Sequence, residues 1–560
     1  MDLKGFWTNG KNLLSRQQSN IFSAAMVLAA AFGLSAILGI LRDRLLYARF
    51  YACCAPQLDA YNAAFRLPDL VFQLLVIGAL SAAFIPIFSQ KLLENKKEAF
   101  IVARAIGTFL FLAFIPLALI VFIFARPFSG LIAAGFAPEQ INLMANLTRI
   151  MIFAQVFFLF SNLTTGILQA HKRFVVPALS PLVYNLGIIL GIKFFSPWLG
   201  IYGPAGGVFL GALGHFLLQF PLARSLGFRF KPSFDFGLPE IKRVLKLMIP
   251  RSLSLGLGQI ESTIILFFAT GFPAGSLSLL YLAQHLSQLF SRLFGSTIGQ
   301  AALPSLSSLR ASKKTGEFNQ VLMDSLLESL YLSAWAAIVL LVLRIPMVRL
   351  AFGAKTFPWQ ATLQTGRVLA LLSPAVVAQS GSQILTRGFY SLQDTKRPLI
   401  ISLISLLITL MVSLIGIYFL GWGIIALVLA ISLAAIARFL VLLVVISWQL
   451  KGFAWGRLWS FAQKSLLVTA VSGPVFWLLM RLSDQYLLDT TRVVGLSLLM
   501  VITLLGGSSV YVWFSLKLNL KEAQVFLRLI KKLINFRRTF AVSQTQMEKP
   551  KELLETASRL

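Results

Sequence analysis

The sequence predicts an all-α polytopic membrane protein with about 14 transmembrane helices. Hydrophobic residues make up 57% of the 560 positions and charged residues only 12%, and the mean hydropathy is +0.80, a composition that excludes a water-soluble fold. Apolar runs of about twenty residues, each able to cross a hydrocarbon core of about 30 Å as a helix, recur along the chain. These runs lack the alternation of apolar and polar residues that membrane β-barrel strands show.

The apolar runs define fourteen candidate transmembrane segments. They cover residues 21–41, 62–90, 103–125, 146–170, 176–196, 201–222, 244–270, 276–305, 322–345, 361–388, 398–420, 422–448, 464–482 and 491–516. The first run follows Lys4, Lys11 and Arg16, but no clear small-residue cleavage site ends it. We therefore expect it to be retained as the first transmembrane helix.

Charges between the segments indicate the topology. The net charge of +30 would fit a nucleic-acid-binding protein, but the basic residues form no separate domain with base-stacking aromatic residues. Instead they fall in alternate loops, whereas the short loops 196–200, 271–275 and 421–423 are uncharged. The main exceptions are Arg344, Arg349 and Lys355. Because positive loops resist translocation, we expect a multi-pass inner-membrane protein with both termini in the cytoplasm.

An internal repeat suggests two related lobes of six helices. Gln169–Arg173 (QAHKR) has the same pattern as Gln393–Arg397 (QDTKR), and each follows one long helix and precedes another. A similar spacing separates Ala83–Pro86 from Ala301–Pro304. Since the spacing corresponds to six helices, an even number, the repeat is parallel. Chance similarity between apolar sequences is the alternative.

The repeat and the changes in composition divide the chain into five parts. These are an N-terminal lobe (1–225), a cytoplasmic linker (226–243), a C-terminal lobe (244–450), two further helices (451–517) and a basic amphipathic cytoplasmic tail (518–560). In the tail, apolar residues between 526 and 534 share one helical face and are bracketed by Lys and Arg. This pattern is typical of a helix that lies on an anionic membrane surface.

Ionisable residues within the apolar segments are the candidate site residues, because each costs about 2.5–3.5 kcal/mol to insert and usually faces a wet cavity or a partner. For substrate binding we select Arg42, Asp59, Arg66, His285 and Arg292. Arg292 and His285 share one helical face, with Gln288 one turn from each.

Each of these selections has a structural alternative. Arg42 and Arg44 lie at a helix end, where arginines also anchor a helix by snorkelling to the interface. Asp59 would equally suit a helix N-terminus or an arginine partner. Glu261, well inside helix seven, is a candidate for ion coupling or the partner of a nearby arginine.

Arginines in a cavity indicate a phosphate or pyrophosphate ligand, because the planar guanidinium binds such oxygens bidentately and stays charged. No Walker A, HExxH or GxSxG motif is present, so we expect transport and not catalysis. His171, His215 and His285 are far apart in sequence, which does not support a metal site. Cys53 and Cys54 are adjacent, so a disulfide between them would be strained. No cofactor is expected, and an ion gradient or the membrane potential would drive transport.

Three segments resemble a known family. LGILRDRLLYARF, LDAYNAAFRLPDLVFQLLVIGALSAAFIPIFSQ and LLYLAQHLSQLFSRLFGSTIGQAALPSLS are similar to the lipid II flippase family MurJ (MviN), and the likeness extends over most of the chain. The family belongs to the multidrug, oligosaccharidyl-lipid and polysaccharide exporter superfamily. The resemblance implies two six-helix lobes around a central V-shaped cavity, and two C-terminal helices that form a groove for the lipid tail.

Two family residues have counterparts in this sequence. Arg42 corresponds to the arginine of the family's RD pair, and Asp59 to the acid of its DA step. Three family arginines are absent, since their positions are occupied by Ala36, by Phe72 or Gln73, and by His285. Arg292, two turns beyond His285, is the candidate replacement for the last of them.

The resemblance implies a flippase that moves undecaprenyl-pyrophosphate-linked peptidoglycan precursor from the inner to the outer leaflet by alternating access, for cell-wall synthesis and cell shape. Membrane lipids and cell-wall synthesis proteins are the candidate partners besides the substrate. Two alternatives remain open: an exporter of another polyprenyl-linked glycan, and a membrane scaffold that has lost transport.

Overall fold

The computed structural model describes residues 21–77, 80, 84–353, 357–450 and 452–524. In this part of the chain every regular element is helical, and no strand occurs. The predicted all-α fold class is therefore confirmed. The predicted tail lies outside the described residues beyond position 524, as do Lys4, Lys11 and Arg16.

The α-helices follow one another with short connections. They are α1 Ile21–Ala64, α2 Arg66–Phe72, α3 Ile85–Glu94, α4 Lys96–Ile123, α5 Ala125–Ile132, α6 Pro138–Ala170, α7 Val175–Leu190, α8 Ser196–Leu199, α9 Tyr202–Ser225, α10 Pro239–Ala269, α11 Ser276–Ser291, α12 Thr297–Ala311, α13 Thr315–Val342, α14 Arg344–Phe352, α15 Trp359–Ser391, α16 Lys396–Leu414, α17 Ile424–Gln449, α18 Trp455–Leu482 and α19 Val493–Lys517. Turns of π-helix occur at Gln73–Ile77, Gly191–Phe195, Arg292–Ser296, Ile415–Phe419 and Ser483–Leu487.

Each predicted transmembrane segment is helical over most of the length that the structure describes, with interruptions such as those at Phe65, Phe124 and Leu343. Among the residues that the structure describes, ten helices are long and apolar enough to cross a membrane. The total of about 14 stays a prediction. The first segment extends further than the sequence suggested, because α1 continues beyond residue 41 to Ala64, with non-helical dihedral angles at Cys54. Cys53 and Cys54 are paired as a disulfide, against the expectation from their adjacency.

The described chain forms two compact units. The first contains residues up to Gln284, Met347–Val368 and Thr395–Ala434, and the second contains His285–Pro346, Leu369–Asp394 and the residues from Ala435 onward. The predicted lobe boundaries are not tested by this division and stay a prediction.

In the first unit, the segment predicted as a linker packs against the helices. Phe228 is fully buried and its ring lies 4.9 Å from that of Phe230, which in turn contacts Phe160 of α6 at 4.9 Å. The backbone N–H of Ser233 donates to the Thr108 hydroxyl of α4 at 3.1 Å. Because aromatic rings recur along this segment, it buries apolar surface that a free linker would expose.

Helices α7 and α9, also in the first unit, approach each other through glycines. A Cβ on Gly187 would lie 2.4 Å from the Cα of Gly211, and one on Gly211 would lie 2.6 Å from the Tyr184 carbonyl oxygen. Small residues at such contacts let two backbones touch, which is a common basis of helix association in lipid.

Several helices end in a residue with positive φ. Lys172 (φ 58°) and Lys313 (φ 57°) follow α6 and α12, and Gln393 (φ 61°) follows α15. In each case the next N–H bonds back to a carbonyl in the last turn, as Arg173 does to Leu168 at 2.9 Å. When the repeat is aligned on these caps, Lys172 corresponds to Gln393. This alignment differs by three residues from the match of QAHKR with QDTKR, because the caps mark the ends of the helices whereas that match rests on residue identity.

In the second unit, hydrogen bonds join α19 to α13. The Tyr331 hydroxyl donates to the Ser515 hydroxyl at 3.0 Å, and the Tyr511 hydroxyl donates to the Tyr331 carbonyl at 2.9 Å. The indole N–H of Trp335 donates to the Ser508 hydroxyl at 2.9 Å. These buried polar contacts supply interhelical attraction where the hydrophobic effect is weak.

Candidate substrate site

Arg66, the first residue of α2, is held by neutral polar groups of the first unit. Its Nη2 donates to the Tyr281 hydroxyl at 2.8 Å and its Nη1 to the Gln259 Oε1 at 3.3 Å, while its Nε is buried without a hydrogen-bond partner in the described part of the chain. No carboxylate of the described residues forms an ion pair with it. Asp69, one turn further along α2, attracts the guanidinium electrostatically without a direct ion pair, and the Nε donor stays unbonded, which suits an anionic ligand.

Arg42 is more fully occupied. Its Nε and Nη2 donate to Oδ1 of the adjacent Asp43 at 2.8 and 2.6 Å, and its Nη1 donates to Asn185 of α7 at 3.1 Å. The Arg42 side chain is 22% exposed. Because Asp43 neutralises its charge, Arg42 would attract an anion less strongly than Arg66.

Asp59 caps the start of α11. It is 2% exposed, and its oxygens accept hydrogen bonds from the Gly275 N–H at 2.6 Å, the Ser278 N–H at 2.9 Å and the Ser278 hydroxyl at 2.5 Å. A carboxylate at a helix N-terminus satisfies backbone donors and complements the helix dipole. These contacts correspond to the helix-terminal alternative that the sequence left open for Asp59.

Arg44 also contacts a helix end. Its Nη2 donates to the Gly353 carbonyl at 3.0 Å and its Nη1 to the Leu350 carbonyl at 3.4 Å, at the C-terminus of α14. A cation there satisfies carbonyls that lack an intrahelical partner. The guanidinium of Arg44 is therefore engaged in hydrogen bonds to a helix end and not in a substrate site.

Glu261 of α10 accepts a hydrogen bond from the Thr409 hydroxyl of α16 at 3.0 Å. Among the described residues it forms no ion pair, so the arginine partner that the sequence allowed is not found there. A half-buried carboxylate bonded only to a hydroxyl can exchange a proton or a cation, which keeps the coupling hypothesis open.

His285 and Arg292 belong to the second unit. Arg292 begins the π-helical turn Arg292–Ser296, and its Nη2 donates to Gln288 at 3.1 Å. This bond places Arg292 and Gln288 on one face, whereas the place of His285 on that face stays a prediction. Turns of π-helix are frequent at functional sites.

Asp59 and Arg66 both contact the beginning of helix α11. Their partners Gly275, Ser278 and Tyr281 recur at intervals of three at the beginning of α11. Sequence reasoning missed Gln259 and Tyr281 as partners of Arg66. An amide in the middle of an apolar helix was the available signal for Gln259, and also for Asn185 in α7.

The comparisons identify the family. The family model described as "Lipid II flippase MurJ" matches residues 53–496. The chain belongs to this family. It is 30% identical over 439 residues to "Probable lipid II flippase MurJ" of Bdellovibrio bacteriovorus, which covers 77% of this chain and 83% of that protein. The corresponding MurJ protein of Thermotoga maritima is 28% identical over 495 residues and covers 88% and 96%.

Solved structures agree on the fold. A structure described as "Lipid II flippase MurJ, inward closed conformation" superimposes with a TM-score of 0.71 at 24% identity, covering 88% of this chain and 98% of that one. An inward-facing multidrug resistance MATE family transporter gives a TM-score of 0.60 at 15% identity, over 76% and 94% of the two chains. At these identities the likeness shows the MurJ-type fold alone.

Proposed function

We propose that this protein is a lipid II flippase, which moves undecaprenyl-pyrophosphate-linked peptidoglycan precursor from the inner to the outer leaflet of the bacterial plasma membrane. The observation that carries the proposal is the family match over residues 53–496. The cell-wall role follows from that substrate. The expected orientation, with both termini in the cytoplasm, rests on the alternating basic loops.

Arg66 is the residue that we assign to the pyrophosphate. In the described structure Arg66 forms no direct ion pair, although Asp69 offsets part of its charge, and its Nε has no acceptor, so a phosphate oxygen would provide both an ion-pair partner and an acceptor. Arg42, His285 and Arg292 stay candidates for substrate binding on the sequence pattern alone; His285 lies on α11 and Arg292 begins the π-helical turn that follows it. Alternating access would then move the bound pyrophosphate across the bilayer.

An ion gradient or the membrane potential supplies the energy in this proposal, and the protein acts as a transporter and not as an enzyme. Glu261 is the proposed coupling residue because its carboxylate is half-buried and contacts Thr409 without an ion pair in the described residues. Moving one charge through 100 mV is worth about 2.3 kcal/mol, enough to bias a two-state transporter about fifty-fold.

Complementation tests the proposal directly. A bacterium depleted of its own lipid II flippase would receive the wild-type chain, Arg66→Gln or the matched control Arg224→Gln at equal expression; Arg224 is an exposed arginine of α9. We expect rescue by wild type and by the control. Loss of a charge-assisted hydrogen bond of about 1.5–3 kcal/mol in Arg66→Gln should lower transport about 10- to 150-fold.

Other outcomes would redirect the proposal. A well-expressed wild-type chain that fails to rescue would point to another polyprenyl-linked glycan, to be tested with that lipid in proteoliposomes, or to a scaffold without transport. Full rescue by Arg66→Gln would contradict the role of Arg66 while leaving the substrate intact. Arg42→Gln should have the smaller effect, because Asp43 already neutralises Arg42.

A further inference from the structure

A cavity in the first unit has no part in the proposed pyrophosphate site. It has a volume of about 330 Å³ and lies between α4, α6 and the aromatic segment that follows α9. Its walls include Phe111, Phe160, Phe228 and Phe230, and Arg104 and Lys231 supply its two cations. The volume lies within the range of about 300–1,000 Å³ that is usual for small-molecule sites.

Neither cation has a carboxylate partner in the described part of the chain. Among the same residues, the Nε of Arg104 is buried with no hydrogen bond. A half-buried guanidinium without an acceptor is costly, because its donors lose water without gaining a partner. An anion in the cavity would therefore supply the acceptor that Arg104 lacks, whereas the exposed Lys231 would add a favourable charge.

The position of the cavity favours a lipid. Arg104 is eight residues from the start of α4, about 12 Å along the helix axis, at the end that the basic loops assign to the cytoplasmic side. Leu112 and Phe230, also in the lining, are 45% and 38% exposed. An apolar cavity with cations at the level of the headgroups matches an amphiphile with an anionic head and an apolar chain.

We propose that this cavity binds an anionic phospholipid of the cytoplasmic leaflet. Its acyl chain would occupy the space between the phenylalanines. Its phosphate would accept hydrogen bonds from Arg104 and form an ion pair with Lys231. Bound there, the lipid would fasten the segment around Phe228 and Phe230 to α4, which the Ser233–Thr108 hydrogen bond already joins.

Native mass spectrometry of the full-length protein tests this site. Wild type, Arg104→Gln, Lys231→Gln and the double variant would be titrated with phosphatidylglycerol and, separately, with phosphatidylcholine. The matched control is the double variant Arg229→Gln/Lys242→Gln, which removes two exposed cations from the same region outside the lining. Leu112→Trp narrows the apolar part of the cavity and so tests whether the acyl chain of the lipid binds there.

We expect phosphatidylglycerol to bind more tightly than phosphatidylcholine. Each lining cation should contribute about fivefold to the dissociation constant and the pair about thirtyfold. The dissociation constants of the control variant should equal those of wild type. Leu112→Trp should weaken the binding of both lipids.

Three results would overturn the proposal. The first is equal affinity for the two lipids, and the second is an equal loss in the lining and control variants. The third is displacement of phosphatidylglycerol by an equimolar polyprenyl diphosphate, which would make the cavity a substrate subsite. Complementation reports the proposed flippase activity independently of this measurement.

Discussion

Replacement of Asp59 separates a structural role from a substrate role at this position. In Asp59→Ala the N–H groups of Gly275 and Ser278 lose their acceptor inside a site where Asp59 is only 2% exposed. A buried donor left without a partner costs about 1–3 kcal/mol, so the two backbone groups together predict a loss of about 2–6 kcal/mol in the free energy of unfolding. Asp59→Asn keeps one carbonyl oxygen and should lose about half as much.

The assay combines global and local stability. Unfolding in mixed micelles gives the free energy, and hydrogen exchange followed by mass spectrometry reports on a peptide covering residues 271–284. Glu139→Ala is the control, since Glu139 lies in the first turn of α6 but is exposed, where an acid contributes about 0.3–1 kcal/mol. We expect faster exchange in the peptide only for the Asp59 variants.

One result would refute this reasoning. If Asp59→Ala abolished flipping while the unfolding free energy and the exchange of the 271–284 peptide stayed at wild-type values, Asp59 would act on the substrate and not on the start of α11.

Three further predictions concern coupling, packing and pH. In Glu261→Gln proteoliposomes, transport should lose most of its stimulation by an imposed ion gradient while wild type and Thr409→Val keep theirs; unchanged stimulation would exclude Glu261 as the coupling residue. Gly211→Ala should lower the unfolding free energy by about 1–3 kcal/mol through overpacking, because its Cβ would lie 2.6 Å from the Tyr184 carbonyl, whereas Gly206→Ala, with open space around it, should not. Burial, and secondarily the charges of Lys96 and Arg173, lower the pKa of His171 below its usual 6.5. The unfolded chain therefore takes up this proton first, and stability should fall as the pH drops below about 6.5. His171→Gln should lose less stability than wild type between pH 7.5 and 5.5, and an equal loss would contradict the prediction.

The sequence predicted the helices better than the contacts between them. Apolar length identifies a membrane helix locally, so each predicted segment is mostly helical where the structure describes it. The extension of α1 to Ala64 was missed because polar residues such as Arg42 and Arg44 suggest a helix end, although hydrogen bonds to Asp43, Asn185 and the end of α14 satisfy them here. The interruption of helices by π-turns has no composition signal.

The sequence identified candidate site residues by residue type, but it did not predict the role of each one in the structure. The cost of burying a charge selects Arg66 and Asp59 from one sequence. Whether such a charge meets a helix terminus, as Asp59 does 219 residues away at Ser278, or neutral groups, as Arg66 does, depends on long-range packing. The glycan alternative and the scaffold alternative therefore require transport measurements and not further sequence reasoning.

The lysines that end α6 and α12 have a consequence for how the protein reaches the membrane. Lys172 and Lys313 adopt a left-handed conformation that costs a side-chain-bearing residue about 1–2 kcal/mol and glycine almost nothing. Glycine at either position would therefore give a more stable folded protein. It would also remove a positive charge from a loop at the moment when the inserting chain is oriented. On the topology that the basic loops predict, we expect this backbone strain in the folded state to be offset by a benefit during membrane insertion, before the native packing exists.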